Sequence, residues 1–292
     1  MELERFDDAR AFLDAAGPFL REREAEHNLI YGVCSTLIAD PTVYSEEAPY
    51  LALVRDGDGS VAAAALRTPP FQLVLSEVDD PAALEPILRD RLEAGDELPA
   101  VLTPAGEASR FAREWATRRG RRAVLATRER IFRLSRVEPP RPTGGRMRTA
   151  TAGDVDLLVD WLAAFWREAI GDEEPDLDRA RLVAGRWAEG RHRLMYLWED
   201  GGRPVSMSGV GGETPHGIRV GPVYTPPHER GRGYASNLVA RASQAQLDAG
   251  RRFCFLFTDL ANPTSNKIYQ AIGYEPVRDV EQYRFELPEA GA

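Results

Sequence analysis

The sequence predicts an α/β (α+β) protein built from two tandem modules of one kind. Three observations carry that prediction. Strand-like alternation and helix-like stripes of apolar residues recur in the same order twice along the 292 residues. The stretch Val137-Glu138-Pro139-Pro140-Arg141-Pro142-Thr143-Gly144-Gly145 separates the two series, because three prolines and two glycines in nine residues resist both helix and sheet. Glycines then stop the helical runs at Gly95, Gly120 and Gly250. The expected domains are 1–140 and 145–292.

In the first module, helical patterns cover about 7–23 and 26–38. Strand-like runs follow at Tyr50 to Arg55, Val61 to Arg67 and Phe71 to Val78. Asp80 before Pro81 reads as an N-cap with proline at the first helical position, opening a helix to about Ala94. A short strand from Ala100 to Thr103, a helix from about Ala105 to Arg118 and a β run from Arg122 to Leu134 close the module.

The second module repeats this order. A strand from Arg146 to Ala150 leads to Thr151 and Asp154, spaced as a capping box. The stripe Val155, Leu158, Val159, Leu162, Phe165, Ala169 marks a helix, and a second helix spans about Leu177 to Trp187. Strands are expected at Leu194 to Trp198, Val205 to Val210 and Ile218 to Tyr224. A helix over 233–249, a strand from Phe253 to Thr258, a short helix around 263–272 and a β run from Val280 to Phe285 complete it.

Composition narrows the function classes. A net charge of −9 and a pI near 5.2 disfavour sequence-independent nucleic-acid binding, which needs a basic surface. No apolar run approaches the roughly 20 residues of a membrane span, and the N-terminus Met-Glu-Leu-Glu-Arg-Phe-Asp-Asp lacks the apolar core of a signal peptide. The two cysteines, Cys34 and Cys254, lie in apolar segments, so the expectation is a cytoplasmic protein without a disulfide framework. His27, His192, His216 and His228 show no metal-ligand spacing, and no metal is expected.

The most informative stretch is Arg230-Gly231-Arg232-Gly233-Tyr234-Ala235-Ser236, between an apolar strand and a helix. Gly231 and Gly233 allow a sharp turn and close approach of a ligand to the backbone. The first N–H groups of the helix point outward with the positive end of its dipole behind them. Arg230 and Arg232 add guanidinium forks. Together these residues read as a pyrophosphate-binding loop. A P-loop is excluded, because Gly233 is followed by Tyr234-Ala235 rather than Lys-Ser or Lys-Thr. A dinucleotide fold is excluded by the roughly sixty residues that remain and by the apolar Phe253 where a ribose-binding acid belongs.

Downstream, Asn262, Ser265, Tyr269 and Gly273-Tyr274 follow on a strand end, a turn and a short helix. With Arg230-x-x-Gly233-x-Ala235, this pattern resembles the GNAT superfamily of acyl-CoA N-acyltransferases over roughly 146–290. The first module resembles it only in element order and lacks a glycine-rich turn between Val78 and Pro81. The resemblance implies two GNAT-like domains, each a mixed, mostly antiparallel sheet flanked by helices, with the N-terminal copy degenerate. It implies acetyl-CoA as co-substrate and an acetyl group moved to a primary amine of a small molecule or peptide, by a monomer or homodimer. By the same resemblance, Val223, Tyr224 and Thr225 pair with the pantetheine arm. Gly231, Arg232, Gly233, Tyr234, Ala235 and Ser236, with Arg230, hold the pyrophosphate. Asn262 and Ser265 belong to the carrier site, and Tyr269 stands at the general-acid position.

Other readings stay open at some of these positions. Tyr269 shares its short helix with Ile268 and Ile272 and reads equally as a core aromatic; Asn262 reads also as an N-cap before Pro263. Trp161, Phe165 and Trp166 at helical spacing read as core or as a wall of the acceptor cleft. No carboxylate lies between Ile218 and Tyr224, so the base is unassigned among Glu213, His216, His228, Asp259 and water. The alternative in another class is a non-catalytic acyl-CoA sensor.

Overall fold

The computed structural model describes residues 1–171 and 174–288. The chain forms two compact units. The first comprises 1–132, 257–263 and 276–288; the second comprises the described residues of 133–256 and 264–275.

The first module runs β1 (Glu2–Arg5), α1 (Ala9–Glu22), α2 (Asn28–Ala39), β2 (Tyr50–Arg55), β3 (Val61–Arg67), β4 (Leu73–Leu75), α3 (Glu85–Glu93), β5 (Ala100–Pro104), α4 (Glu107–Arg118) and β6 (Arg122–Leu134). The second runs β7 (Arg146–Thr149), α5 (Val155–Phe165), α6 (Leu177–Glu189), β8 (Arg193–Asp200), β9 (Arg203–Glu213), β10 (Gly217–Tyr224), α7 (Tyr234–Asp248), β11 (Phe253–Asp259), α8 (Pro263–Ala271) and β12 (Glu275–Glu286). Strand β1, which the sequence pattern missed, makes the two series match element for element.

In the first unit the strand order is β1-β2-β3-β4-β5-β12-β6. Neighbours from β1 to β4 are antiparallel, β4 and β5 are parallel, and β12 lies antiparallel to β5 with Gln282 opposite Leu102. The period-2 alternation of β2 sends Tyr50, Ala52 and Val54 to a core with Ile87, Leu88, Phe111 and Trp115 of α3 and α4. Leu51 and Leu53 face the other way, against Phe12, Leu20, Ile30 and Tyr31 of α1 and α2. With both faces covered, β2 reads as an unbroken apolar run.

The compact units do not run parallel to the two sequence modules. β12 belongs to the second module in sequence and to the first unit in space. The segment 137–145 is free of helix and strand, as its prolines dictate, yet it is part of the second unit rather than a loose connector. Asn237 Nδ2 donates to the Arg141 carbonyl (2.9 Å), Thr143 Oγ1 to the Arg232 carbonyl (3.0 Å) and Trp198 Nε1 to the Gly144 carbonyl (2.8 Å).

In the second unit β7, β8, β9 and β10 are antiparallel neighbours and β11 pairs parallel with β10. Leu158, Trp161 and Leu162 of α5 and Ala180, Ala184 and Trp187 of α6 pack on Met195, Leu197, Met207 and Tyr224 of the sheet. The capping box at Thr151 and Asp154 forms. Arg148 adds a two-pronged ion pair that holds the Asp154 carboxyl down at about 2.

Candidate functional site

Two features of β10 build the site. Its pairing with β11 ends at Arg219 opposite Phe255, although β10 continues to Tyr224. From Val220 to Tyr224 the edge on that side carries no registered pairing with β11. On its other edge, two residues of β10 are inserted between the pairs Val220–Val210 and Val223–Ser208, where β9 has only Gly209. A Cβ at Gly209 would lie 2.7 Å from the Trp187 ring and 2.8 Å from the Gly221 carbonyl, so glycine is what lets the bulge approach.

The turn after β10 places Gly231 at φ +78° and Gly233 at φ +82°, left-handed conformations that suit glycine. Gly233 is the N-cap of α7, and with no side chain it caps nothing. The main-chain N–H groups of Gly231, Arg232, Gly233, Tyr234, Ala235 and Ser236 donate to no protein acceptor among the described residues; the helix ladder begins with Asn237 N–H to the Gly233 carbonyl, 3.1 Å. Six consecutive donors thus stand at the positive end of a 15-residue helix, with 230–233 exposed. Tyr234, by contrast, is buried and its hydroxyl donates to Asp200 at 2.5 Å.

Both arginines of the turn have partners within the protein. Arg230 Nε donates to the Thr225 carbonyl (2.8 Å), its Nη2 pairs with Glu168 (2.5 Å), and its guanidinium lies 5.8 Å from the centre of the Tyr224 ring. Arg232 pairs with the buried carboxylate of Glu229 at 3.0 Å. Each guanidinium has a local carboxylate, so the attraction for an anion falls to the backbone donors and the helix dipole.

Tyr224 packs on Trp161 with centroids 6.1 Å apart, and its hydroxyl is 3.5 Å from Glu168. Burial first, and then the Glu168 charge, raise its pKa above the ordinary tyrosine value. The Thr225 hydroxyl meets Ser206 Oγ at 2.8 Å.

On α8, Ser265 and Tyr269 lie one turn apart on the same face. Tyr269 is buried, packs edge-on to Tyr274 at 6.0 Å, and its hydroxyl makes no hydrogen bond among the described residues. Burial pushes its pKa up to about 12. Asn262 belongs to the 257–263 segment of the first unit, its N–H bonded to the Asp259 carbonyl, whereas Ser265 and Tyr269 belong to the second unit.

Residues 155–274 match the family described as acetyltransferase (GNAT) family. This segment belongs to the GNAT superfamily. No curated protein matches the chain in sequence. Among solved structures, a Drosophila protein superposes with TM-score 0.69 at 16% identity over 98% of each chain. A GCN5-related N-acetyltransferase from Sphaerobacter thermophilus gives 0.58 at 19% identity, covering 98% of this chain and 95% of that one. A tandem GNAT protein from the clavulanic acid biosynthesis pathway gives 0.56 at 14% identity, covering 99% and 100%. These likenesses establish the tandem GNAT fold, with a mostly antiparallel mixed sheet flanked by helices.

The GNAT domain brings together the turn 230–236, the unpaired edge of β10 and the bulge. Of the candidate bases, Glu213 stands opposite Ile218 at the start of β10 and His216 immediately precedes that strand, at the end away from Tyr224. Glu213 is ion-paired with Arg251, His228 is exposed and 3.8 Å from Glu229, and Asp259 accepts from the Ala261 N–H. The carboxylate that does reach the end of β10 is Glu168, which the sequence reading missed. It sits on a π-helical turn, Trp166–Ile170, and no local pattern signals a contact 56 and 62 residues away. At the equivalent point of the first module the helix start is capped: Asp80 accepts from the Ala82 N–H at 2.9 Å. Among the described residues there is no group of three or more potential metal ligands, and no helix is long and apolar enough to cross a membrane. Cys34 and Cys254 are buried thiols, and burial pushes Cys254 up to about 12.

Proposed function

We propose that the GNAT domain transfers an acetyl group from acetyl-CoA to a primary amine by direct attack within a ternary complex. The observation that carries this reading is the row of six unengaged N–H groups from Gly231 to Ser236 at the start of α7. They fit the diphosphate of coenzyme A, which needs several donors and a favourable dipole. The edge of β10 at Val223 and Tyr224, which carries no registered pairing with β11, and Thr225 just beyond it fit an extended amide-bearing arm that pairs as an added strand would. When bound, acetyl-CoA supplies a thioester carbonyl that an amine can attack.

The chain's own residues then have three tasks. A main-chain N–H near Val223 polarises the carbonyl oxygen, since oriented donors are worth most where charge develops. Ser265 lines the face of α8 from which Tyr269 projects. Tyr269, with an unbonded hydroxyl, donates to the leaving sulfur. A thiol of pKa about 8.5 is a stronger acid than this phenol at about 12, so the phenol stabilises the developing thiolate by hydrogen bonding rather than by completing a proton transfer. With no carboxylate on β10, the proton from the attacking amine leaves through water.

Titration calorimetry with acetyl-CoA, followed by a thiol-release assay against a panel of small-molecule and peptide amines, tests the reading. Absence of heat with acetyl-CoA sinks it. The missing carboxylate on β10 favours one second reading, a non-catalytic acyl-CoA sensor; binding of acetyl-CoA without amine-dependent thiol release selects it.

A further inference from the structure

Arg230 occupies a seat built for a cation. Its guanidinium lies between the Glu168 carboxylate (2.5 Å) and the face of the Tyr224 ring (5.8 Å to the centroid), and Trp161 backs that ring. A carboxylate beside an aromatic face is the pairing that recognises ammonium and guanidinium groups. The seat is open to solvent: the Glu168 and Arg230 side chains remain 44% and 48% exposed. It lies at the end of the unpaired edge of β10, next to the first residue of the open turn.

We propose that the seat is shared. Glu168 holds Arg230 away from the anion-binding turn until the ammonium group of a cationic amine acceptor takes Arg230's place on the carboxylate. The released guanidinium, still tethered through Nε to the Thr225 carbonyl, then adds a charged donor to the diphosphate. Glu168 is thus a positioning residue, and the acceptor class is an amine that arrives protonated. Acceptor and acyl carrier thereby bind cooperatively, each tightening the other by the same factor. No bond is made or broken in this exchange; one ion pair replaces another. The inference rests on the acetyl-CoA reading above.

The test exploits a sign. If Glu168 restrains Arg230, Glu168→Gln frees the guanidinium and coenzyme A binds more tightly, by roughly three- to tenfold at low salt for one charge-assisted contact. If the pair only braces the turn, its loss weakens binding. Calorimetry with coenzyme A on the full chain reads the difference, with Arg230→Gln and the double variant as controls. The expected result is a gain in Glu168→Gln that vanishes in the double variant. An equal or weaker affinity in Glu168→Gln overturns the proposal, as does a gain that persists without Arg230.

The acceptor half is read by repeating the titration with tyramine, n-butylamine or putrescine at matched ionic strength. At least one should tighten coenzyme A binding in the wild type and none in Glu168→Gln. No tightening by any of the three overturns the assignment of a cationic acceptor to this seat. If the wild type binds no coenzyme A at all, it is the underlying reading that fails. If it binds coenzyme A and Glu168→Gln shows no gain, only the exchange fails.

Discussion

Asp80 and Gly233 stand at the same point of their modules, immediately before the helical segment that follows the fourth strand, and they finish it in opposite ways. The Asp80 carboxylate accepts the Ala82 N–H at 2.9 Å and fills the helix start from within. Gly233 offers no side chain, so the donors of α7 stay open. Giving the second module the residue of the first should close its site. Gly233→Asp costs about 1 kcal/mol for a side chain at positive φ, recovers part of that as a cap, and sets a carboxylate where an anion should bind. Coenzyme A affinity should fall at least about 100-fold while the unfolding midpoint moves only slightly. Retained affinity would show that the diphosphate does not use these donors.

Tyr269 offers a cleaner separation of chemistry from binding. Its hydroxyl has no hydrogen-bond partner among the described residues, so Tyr269→Phe should leave stability and the KM for acetyl-CoA nearly unchanged. kcat should fall about 10²-fold if the hydroxyl stabilises the leaving sulfur. Because burial holds its pKa at about 12, the wild-type rate should show no alkaline fall due to this group below about pH 11. An unchanged kcat in the phenylalanine variant removes Tyr269 from the mechanism.

The bulge of β10 depends on a glycine across the ladder. In Gly209→Ala the new Cβ meets the Trp187 ring at 2.7 Å and the Gly221 carbonyl at 2.8 Å, and neither is the far end of a flexible chain. The expected cost is about 1–3 kcal/mol by urea denaturation, with a raised KM for acetyl-CoA as the bulge shifts. A variant as stable as the wild type would mean that the bulge is free to move.

Deleting the chain from Pro276 should damage the first unit, although the cut lies in the second module. β12 pairs with β5 through Val280–Pro104 to Arg284–Ala100, and Phe285 N–H donates to the Pro99 carbonyl at 3.1 Å. Without it, β5 loses its partner on that side and becomes an unsatisfied edge. Hydrogen exchange should show β5 amides losing protection first. For the same reason a fragment ending at residue 140 is missing a strand of its own sheet.

What the sequence made legible was local. The apolar run Tyr50–Arg55, the stripe of α5 and the glycines at 95, 120 and 250 are determined by neighbours a few residues away, and the structure keeps them except Ala169, which falls beyond α5 on the exposed π-helical turn. The turn 230–236 was legible for the same reason: Gly231 and Gly233 must be glycine to turn as they do. Strand β1 was not, because four mostly exposed residues carry no alternation. Nor were the partners of the arginines. Arg230 and Arg232 have the right chemistry for phosphate, but Glu168 is brought to Arg230 by folding from 62 residues away, whereas Glu229 pairs with Arg232 as a neighbour only three residues off. The proline-rich segment 137–145 likewise looked like a tether because its composition forbids helix and sheet; composition says nothing about Asn237 and Trp198 bonding to its carbonyls.

His27 gives the first unit a pH dependence whose sign follows from its two hydrogen bonds. The ring is 2% exposed and stacked on Phe19. Nδ1 faces the Leu20 carbonyl at 3.0 Å, and Nε2 accepts the Glu77 N–H at 3.1 Å. Both bonds need the neutral ring with its proton on Nδ1; a second proton would oppose one N–H to another. Burial, with a smaller contribution from the Arg23 charge, lowers the pKa to about 4, against 6.5 in the unfolded chain. Between these values the unfolded state binds the extra proton and the folded state does not, so stability falls as pH drops through that window. The contribution is complete above about pH 6.5, and at most about 3 kcal/mol is lost by pH 4. Carboxylates also titrate there, so the measurement is the difference between wild type and His27→Gln in urea denaturation at pH 7.5, 6 and 5. That difference should shrink as the pH falls, because glutamine has nothing to protonate. A difference independent of pH would mean that His27 binds its second proton as readily in the fold as in the unfolded chain.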